Sequence, residues 1–245
     1  MDDHSEFQEL VNANIKALEK DQDLQALSRI WVRETSPHKY TYNFSWLGRP
    51  IIQFPQDIIA MQELIWTIQP QAIIETGIAR GGSLIFHASM LELIGSDGFV
   101  IGIDIDIRQH NRAEIEKHRM SKRIRMIQGS SIDPTTIQTV TDAVAGLDRV
   151  LVILDSNHTH EHVLQELINY GPLVKRGGYL IVLDTIIEDM PENHFPDRPW
   201  GRGNNPKTAI HEFLKGNDRF TIDKSIENKL LITVAPDGYL KCVKD

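Results

Sequence analysis

The chain has 245 residues, 41% hydrophobic and 24% charged, enough for one substantial core or two small ones. Its 26 Lys and Arg against 34 Asp and Glu leave a formal charge of −8, the wrong sign for non-specific nucleic-acid binding. No apolar run is long enough to span a bilayer, the acidic start Met1-Asp2-Asp3-His4 is no secretory signal, and the lone Cys242 excludes an intrachain disulfide and a Cys-based zinc site. These features predict a soluble cytoplasmic protein whose chemistry rests on carboxylates, histidines, hydroxyls or a bound cofactor.

In chain order, Phe7, Leu10, Val11, Ile15, Leu18, Leu24, Leu27, Ile30 and Trp31 recur at helical spacing, which predicts amphipathic helices over 5–33. Residues 35–55 carry Tyr40, Tyr42, Phe44, Trp46 and Phe54 and read as an ordered arm, because disordered segments are poor in aromatics. A helix over 56–68 stops before Pro70. From residue 71 strands and helices alternate: strands at 72–76, 99–104, 124–129, 150–155 and 179–184, with helices at 83–94, 108–119, 134–144 and 160–170. A further helix at 207–215 and a closing strand pair at 220–222 and 230–234 complete the pattern. Continuous apolar strands between helices predict an α/β fold, a doubly wound and mostly parallel sheet covered on both faces. The division read from the pattern is 1–70, N-terminal helices and arm, and 71–245, one compact α/β unit. The basic run Arg108–Arg125 reads as a solvated helix face rather than an anion site.

Ligands of doubly wound sheets bind at the carboxyl ends of the strands. The first strand leads into Glu75-Thr76-Gly77-Ile78-Ala79-Arg80-Gly81-Gly82-Ser83, a glycine turn before a helix N-terminus. It is not G-x-G-x-x-G, which argues against a nicotinamide oxidoreductase, and no lysine follows, so it is not a P-loop. Asp104 ends the second strand, roughly 20 residues on, where a carboxylate can accept two ribose hydroxyls. Ser131 follows the third strand. Asp155 and Asp184 end the fourth and fifth, and two adjacent carboxylates call for a cation or a shared proton between them. Hard oxygen ligands suit Mg²⁺. His158, three residues past Asp155, stands where a base can reach a bound hydroxyl. His158 and His162 are four apart, but Thr159 stands where a zincin has Glu, and no His-x-Asp of an iron triad is present.

Taken together, Tyr42-Asn43-Phe44-Ser45-Trp46-Leu47-Gly48, Ile51-Ile52-Gln53-Phe54-Pro55, the glycine turn, Leu154-Asp155-Ser156-Asn157-His158-Thr159, the stretch Trp200–Ala209 and Glu227–Thr233 carry a resemblance. The chain resembles the cephalosporin hydroxylase/rhamnosyl O-methyltransferase family of class I S-adenosylmethionine-dependent methyltransferases, with a Rossmann-like fold, from about Tyr40 to Val243. The resemblance implies S-adenosyl-L-methionine and Mg²⁺ as cofactors. It implies a donor site of Gln53, Glu75, Gly77, Ala79, Gly81, Gly82, Ser83, Asp104, Ser131 and Asp155. Metal ligands would be Asp155, Asp184 and Thr185, with Glu188 or water as alternatives to Thr185. Leu183 and Thr185 depart from the acidic residue and the Asn that relatives can carry beside the second Asp. His158 and Asp155 would be catalytic. The expected activity is Mg²⁺-dependent methyl transfer to a hydroxyl of a small molecule, a sugar or another natural-product scaffold. The alternative is an accessory protein that binds ligand without turnover. The N-terminal helices and arm look suited to contacts in a homo-oligomer, and the long loop before Pro206 to a lid.

Overall fold

A computed structural model describes residues 2–245. Helix α1 (Asp3–Lys20) starts where the Asp2 carboxylate accepts the Ser5 amide, and it buries no residue. Helix α2 (Gln22–Thr35) is capped in the same way by Asp21 and buries Ser28 and Val32. The arm then forms a hairpin of β1 (Phe44–Trp46) and β2 (Arg49–Ile51). Its two-residue turn places Leu47 at φ 46° and Gly48 at φ 85°, the left-handed pair that matches the twist of a hairpin. Helix α3 (Pro55–Ile68) has Pro55 in its first turn, where a missing N–H costs nothing, and buries Ile58, Met61, Leu64, Ile65 and Ile68. The arm and α3 share their core with one face of the main sheet.

Strands β3 (Ala72–Thr76), β4 (Phe99–Asp104), β5 (Ile124–Gln128), β6 (Val150–Leu154) and β7 (Tyr179–Val182) alternate with α4 (Gly82–Leu93), α5 (Gln109–Lys117), α6 (Pro134–Ala143) and α7 (His160–Tyr170). Helix α8 (Pro206–Gly216), β8 (Phe220–Ile222), α9 (Lys224–Leu230) and β9 (Tyr239–Cys242) complete the chain. The sheet order is β5-β4-β3-β6-β7-β9-β8. The first five strands are parallel, and β9 runs antiparallel to both neighbours. Every residue of β3, β6 and β7 is buried, whereas the edge strand β5 is half-buried. Ile73, Leu151 and Ile153 face α3 and α4, while Ile74, Val152 and Leu154 face α6, α7 and α8. Each such side chain contributes about 1.5–3 kcal/mol by leaving water. This is the predicted doubly wound architecture.

The closing strand differs from expectation. Residues 230–234 are not a strand: α9 ends at Leu230, and Tyr239–Cys242 supplies β9. Asp57 explains the difference. Buried on α3, it accepts the Thr233 hydroxyl, the Val234 amide at 2.9 Å and the Tyr239 hydroxyl at 2.9 Å. Of these donors only the Val234 amide is one a strand would have spent in a ladder; the two hydroxyls tie this segment and β9 to α3. Burial pushes the Asp57 carboxyl up to about 6. Four residues of the basic run form ion pairs: Lys122 and Arg123 with Glu92, Arg112 with Glu116, Lys117 with Glu114. Among the described residues no helix is long and apolar enough to cross a membrane.

Candidate active site at the strand tips

Strand β3 lies between β4 and β6, so successive crossovers leave it in opposite directions and a crevice opens at its carboxyl end. Gly77 makes the crevice possible. At φ 90° it occupies the left-handed region, and a Cβ there would lie 1.9 Å from the Asp155 carbonyl oxygen. The crevice widens into a cavity of about 1020 Å³, lined by the tips of β3 to β7, the arm and the loop before α8. A pit of about 40 Å³ adjoins it between Gln53, Glu75, Gly77, Gly81 and Ser83.

On one side of the cavity stand the residues expected to hold a methyl donor. Glu75 is buried and accepts the Ser83 hydroxyl. The Asp104 carboxylate accepts the amides of Ile78 at 2.9 Å, Ala79 at 3.4 Å and Asp106 at 3.0 Å, which fixes the glycine turn to the tip of β4. A carboxylate offers about four lone-pair sites, so three amides do not exhaust it. The other two glycines have packing reasons of their own. A Cβ on Gly82 would meet the Pro50 carbonyl at 2.1 Å, and one on Gly81 the Ile115 side chain at 2.3 Å. Gly82 thus admits the hairpin over the start of α4, where the Arg49 guanidinium donates to the Arg80 carbonyl at 3.1 Å. Ser131 is buried at the far end. Its hydroxyl lies 2.9 Å from His162 Nε2, and its carbonyl accepts the Tyr170 hydroxyl at 2.7 Å. His162 also faces Glu166 at 3.6 Å, so it does not pair with His158 as a zinc site would require.

Across the cavity, Asp155 follows β6 and Asp184 follows β7. One ligand-capable atom each from Asp155, His158 and Asp184 lies within 4.8 Å of the others. His158 Nε2 is 3.3 Å from Asp184 Oδ2. Among the described residues no hydrogen-bond donor reaches the Asp155 carboxylate. Burial pushes its carboxyl well above the usual range, and Asp184, Glu75 and Glu166 add like charge. Asp184 is held at φ 55°, in the left-handed region, with its carboxylate 3.3 Å from the His158 ring that follows β6. A deep carboxylate with a second one beside it and no donor is a donor set that fits a divalent cation.

Thr185 does not fit the expected third ligand. The left-handed turn at Asp184 drives it inward, where it is fully buried and its hydroxyl donates to the Pro236 carbonyl at 2.6 Å. Glu188 is committed too: it accepts the Gly203 amide at 2.7 Å and the Asn205 side-chain amide. Leu183 is apolar and buried. The third group at the carboxylates is His158 itself, which the sequence pointed to only as a base.

The cavity is roofed by segments far apart in sequence. Trp200 meets His158 edge to face with ring centroids 5.2 Å apart, and Phe195 meets Trp200 in a T-shaped contact at 4.7 Å. The His194 ring bonds Ser36 at 2.9 Å, tying this loop to the arm. Trp31 on α2 joins Tyr40, Phe44 and Phe54 of the arm in one aromatic cluster. Asn205 caps α8 reciprocally with Thr208, and His160 Nδ1 lies 2.8 Å from the Thr208 hydroxyl. His87, Asp57 and the Phe195–Trp200 pair were not singled out as site residues by sequence. The available signal was a lone His in an otherwise apolar helix and a Trp beside a glycine turn.

The family model described as Rhamnosyl O-methyltransferase/CmcI matches residues 38–243. The chain belongs to the rhamnosyl O-methyltransferase/CmcI family. It is an O-methyltransferase of that family, and the matched span runs from the arm to β9. A protein of Mycobacterium tuberculosis (strain ATCC 25618 / H37Rv), named Rhamnosyl O-methyltransferase, is 31% identical over 214 residues, spanning 83% of this chain and 82% of that one. An apo structure of CmcI superposes with a TM-score of 0.61 at 20% identity, covering 83% of this chain and 78% of that one. A CmcI structure described as holding Mg and SAM gives a TM-score of 0.57 at 22% identity, covering 82% and 77%. At those identities the structures establish the shared fold, in which this family member places Asp155, His158 and Asp184 at its strand tips.

Proposed function

We propose that this protein transfers the methyl group of S-adenosylmethionine to a hydroxyl of a small molecule, a sugar or another natural-product scaffold, with Mg²⁺ at Asp155 and Asp184. The observation that carries the reading is the juxtaposition of Asp155, His158 and Asp184 within 4.8 Å, beside a cleft whose other wall holds Glu75 and Asp104. Family membership supports it, as does the Mg and SAM content named for the CmcI relative.

When bound, the donor supplies an electrophilic methyl carbon and Mg²⁺ supplies positive charge that favours a deprotonated hydroxyl. The chain's own residues do the rest. Glu75 would hold the amino-acid end of the donor and Asp104 its ribose diol, on the side of the cavity opposite Asp184. His158 accepts the acceptor's hydroxyl proton at Nε2. Asp184, 3.3 Å away, offsets the charge the imidazole gains. Trp200 packs against that ring and, with Phe195, keeps water from the reacting atoms. Methyl transfer neutralises a sulfonium and an oxyanion, so holding the pair in line is much of the catalysis.

The 4.8 Å span also favours a second reading, with His158 as a third metal ligand. Replacing His158 then lowers ion affinity, whereas replacing a base leaves it unchanged. Exposed Phe7, Leu10, Leu27 and Ile30 on α1 and α2 support a homo-oligomer covering that surface, which light scattering of the purified chain tests. The function is tested by incubating the protein with radiolabelled S-adenosylmethionine, Mg²⁺ and a panel of sugars and phenols. Label transferred to a hydroxyl and lost on chelation is expected. Transfer unaffected by chelation contradicts the metal, and no transfer to any acceptor contradicts turnover.

A further inference from the structure

Glu75 sits near the tip of β3 with its side chain 2% exposed, and His87 on α4 is 1% exposed. Ser83 and His87 are four residues apart, so both project from the same face of the helix toward Glu75. One Glu75 oxygen accepts the Ser83 hydroxyl. The other is enclosed, with His87 Nε2 3.0 Å away. That approach falls outside hydrogen-bond geometry: among the described residues this oxygen and both His87 ring nitrogens have no hydrogen-bond partner. The surroundings are apolar, with Leu84, Ile85, Phe86, Ala88 and Leu91 all buried on α4. A polar pair enclosed in such a setting is costly unless the two groups serve each other or a ligand, and here only the Ser83 bond to Glu75 is already made. At 3.0 Å a small rotation of ring or carboxylate completes the Nε2–H···O bond.

Glu75 lines the 40 Å³ pit and His87 does not. The pit has the dimensions of an ammonium group, and a carboxylate bonded by Ser83, with His87 poised 3.0 Å from its other oxygen, presents its remaining lone pairs there. We propose that His87 is a positioning residue for the amino-acid end of the methyl donor, acting through Glu75. The inference rests on the donor reading above. Ser83 and His87 fix the two oxygens so that the carboxylate meets the donor's ammonium without having to reorient.

The test measures binding of S-adenosylhomocysteine and of 5′-deoxy-5′-methylthioadenosine, which lacks the amino-acid end, by calorimetry. His87→Leu removes the ring donor at similar volume, and His87→Met is a second such variant. His87→Gln keeps an N–H near the Nε2 position. Loss of the donor should weaken S-adenosylhomocysteine about tenfold and leave methylthioadenosine unchanged. His87→Gln should restore most of that loss, and in a Glu75→Gln background His87→Leu should cost nothing further. Equal losses for both ligands, or no loss for either, overturn the proposal. Failure of the wild-type chain to bind S-adenosylhomocysteine overturns the donor reading instead.

Discussion

The two sides of the cavity are built in different ways. The donor side is made of strand tips and the turns that directly follow them, brought together by the sheet: Gly77 against Asp155, Asp104 against the amides of Ile78 and Ala79, Ser83 against Glu75. The acceptor side is made by joining remote segments, as when His194 meets Ser36 across 158 positions. Its roof is side chains on loops, Phe195 and Trp200, rather than backbone on strands. The donor side is therefore set by the fold, while the acceptor side can vary without disturbing it. Asp155 and Asp184 stand on the boundary.

Asp184→Asn gives the sharpest version of this split. Asn tolerates the left-handed backbone at this position, so the fold should persist. Turnover is expected to drop by about 1000-fold or more, while calorimetric affinity for S-adenosylhomocysteine stays within about threefold. A parallel loss of donor affinity would erase the boundary. Gly77→Ala attacks the shared wall instead. It forces a Cβ into the Asp155 carbonyl at an unfavourable φ, and should cost about 3 kcal/mol or more in chemical denaturation.

The Asp57 clamp probes the acceptor side alone, because it holds Val234, which lines the cavity. Its folded carboxyl is raised from 3.8 to about 6. A raised value means the stabilisation is fully present below pH 3.8 and is lost as pH rises through about 6. Asp57→Asn lacks that titration. The stability advantage of wild type over Asp57→Asn should therefore shrink by about 2–3 kcal/mol between roughly pH 4 and pH 7. A constant difference in denaturation midpoints would contradict the raised carboxyl that burial gives Asp57. The smallest effect is expected from Trp200→Ala. Acceptor KM should rise about tenfold, the scale of one lost aromatic contact, with donor affinity unchanged.

Legibility in the sequence follows the same division. The positions of the five parallel strands, the glycine turn, Asp104, Asp155, His158 and Asp184 could be located because continuous apolar runs end at identifiable polar residues. What each glycine does could not be read. Gly81 and Gly82 look like ligand contacts, yet each has a protein atom where its Cβ would stand. Thr185 looked like a ligand because spacing along the chain does not show that Asp184 adopts φ 55° and turns its neighbour inward. Residues 230–234 had strand composition, but Asp57, 176 positions away from Thr233, takes the Thr233 hydroxyl and the Val234 amide. The Phe195–Trp200 roof and the Glu75–His87 pair are likewise tertiary contacts with no local periodicity.

The most direct test of the account is a crystal structure of the chain with S-adenosylhomocysteine and Mg²⁺. One ion is predicted between Asp155 and Asp184, with carboxylate oxygens at roughly 2.0–2.1 Å and the donor's sulfur facing the ion. Carboxylates that diverge around an ordered ion bound elsewhere, or a donor lying away from Glu75 and Asp104, would contradict it.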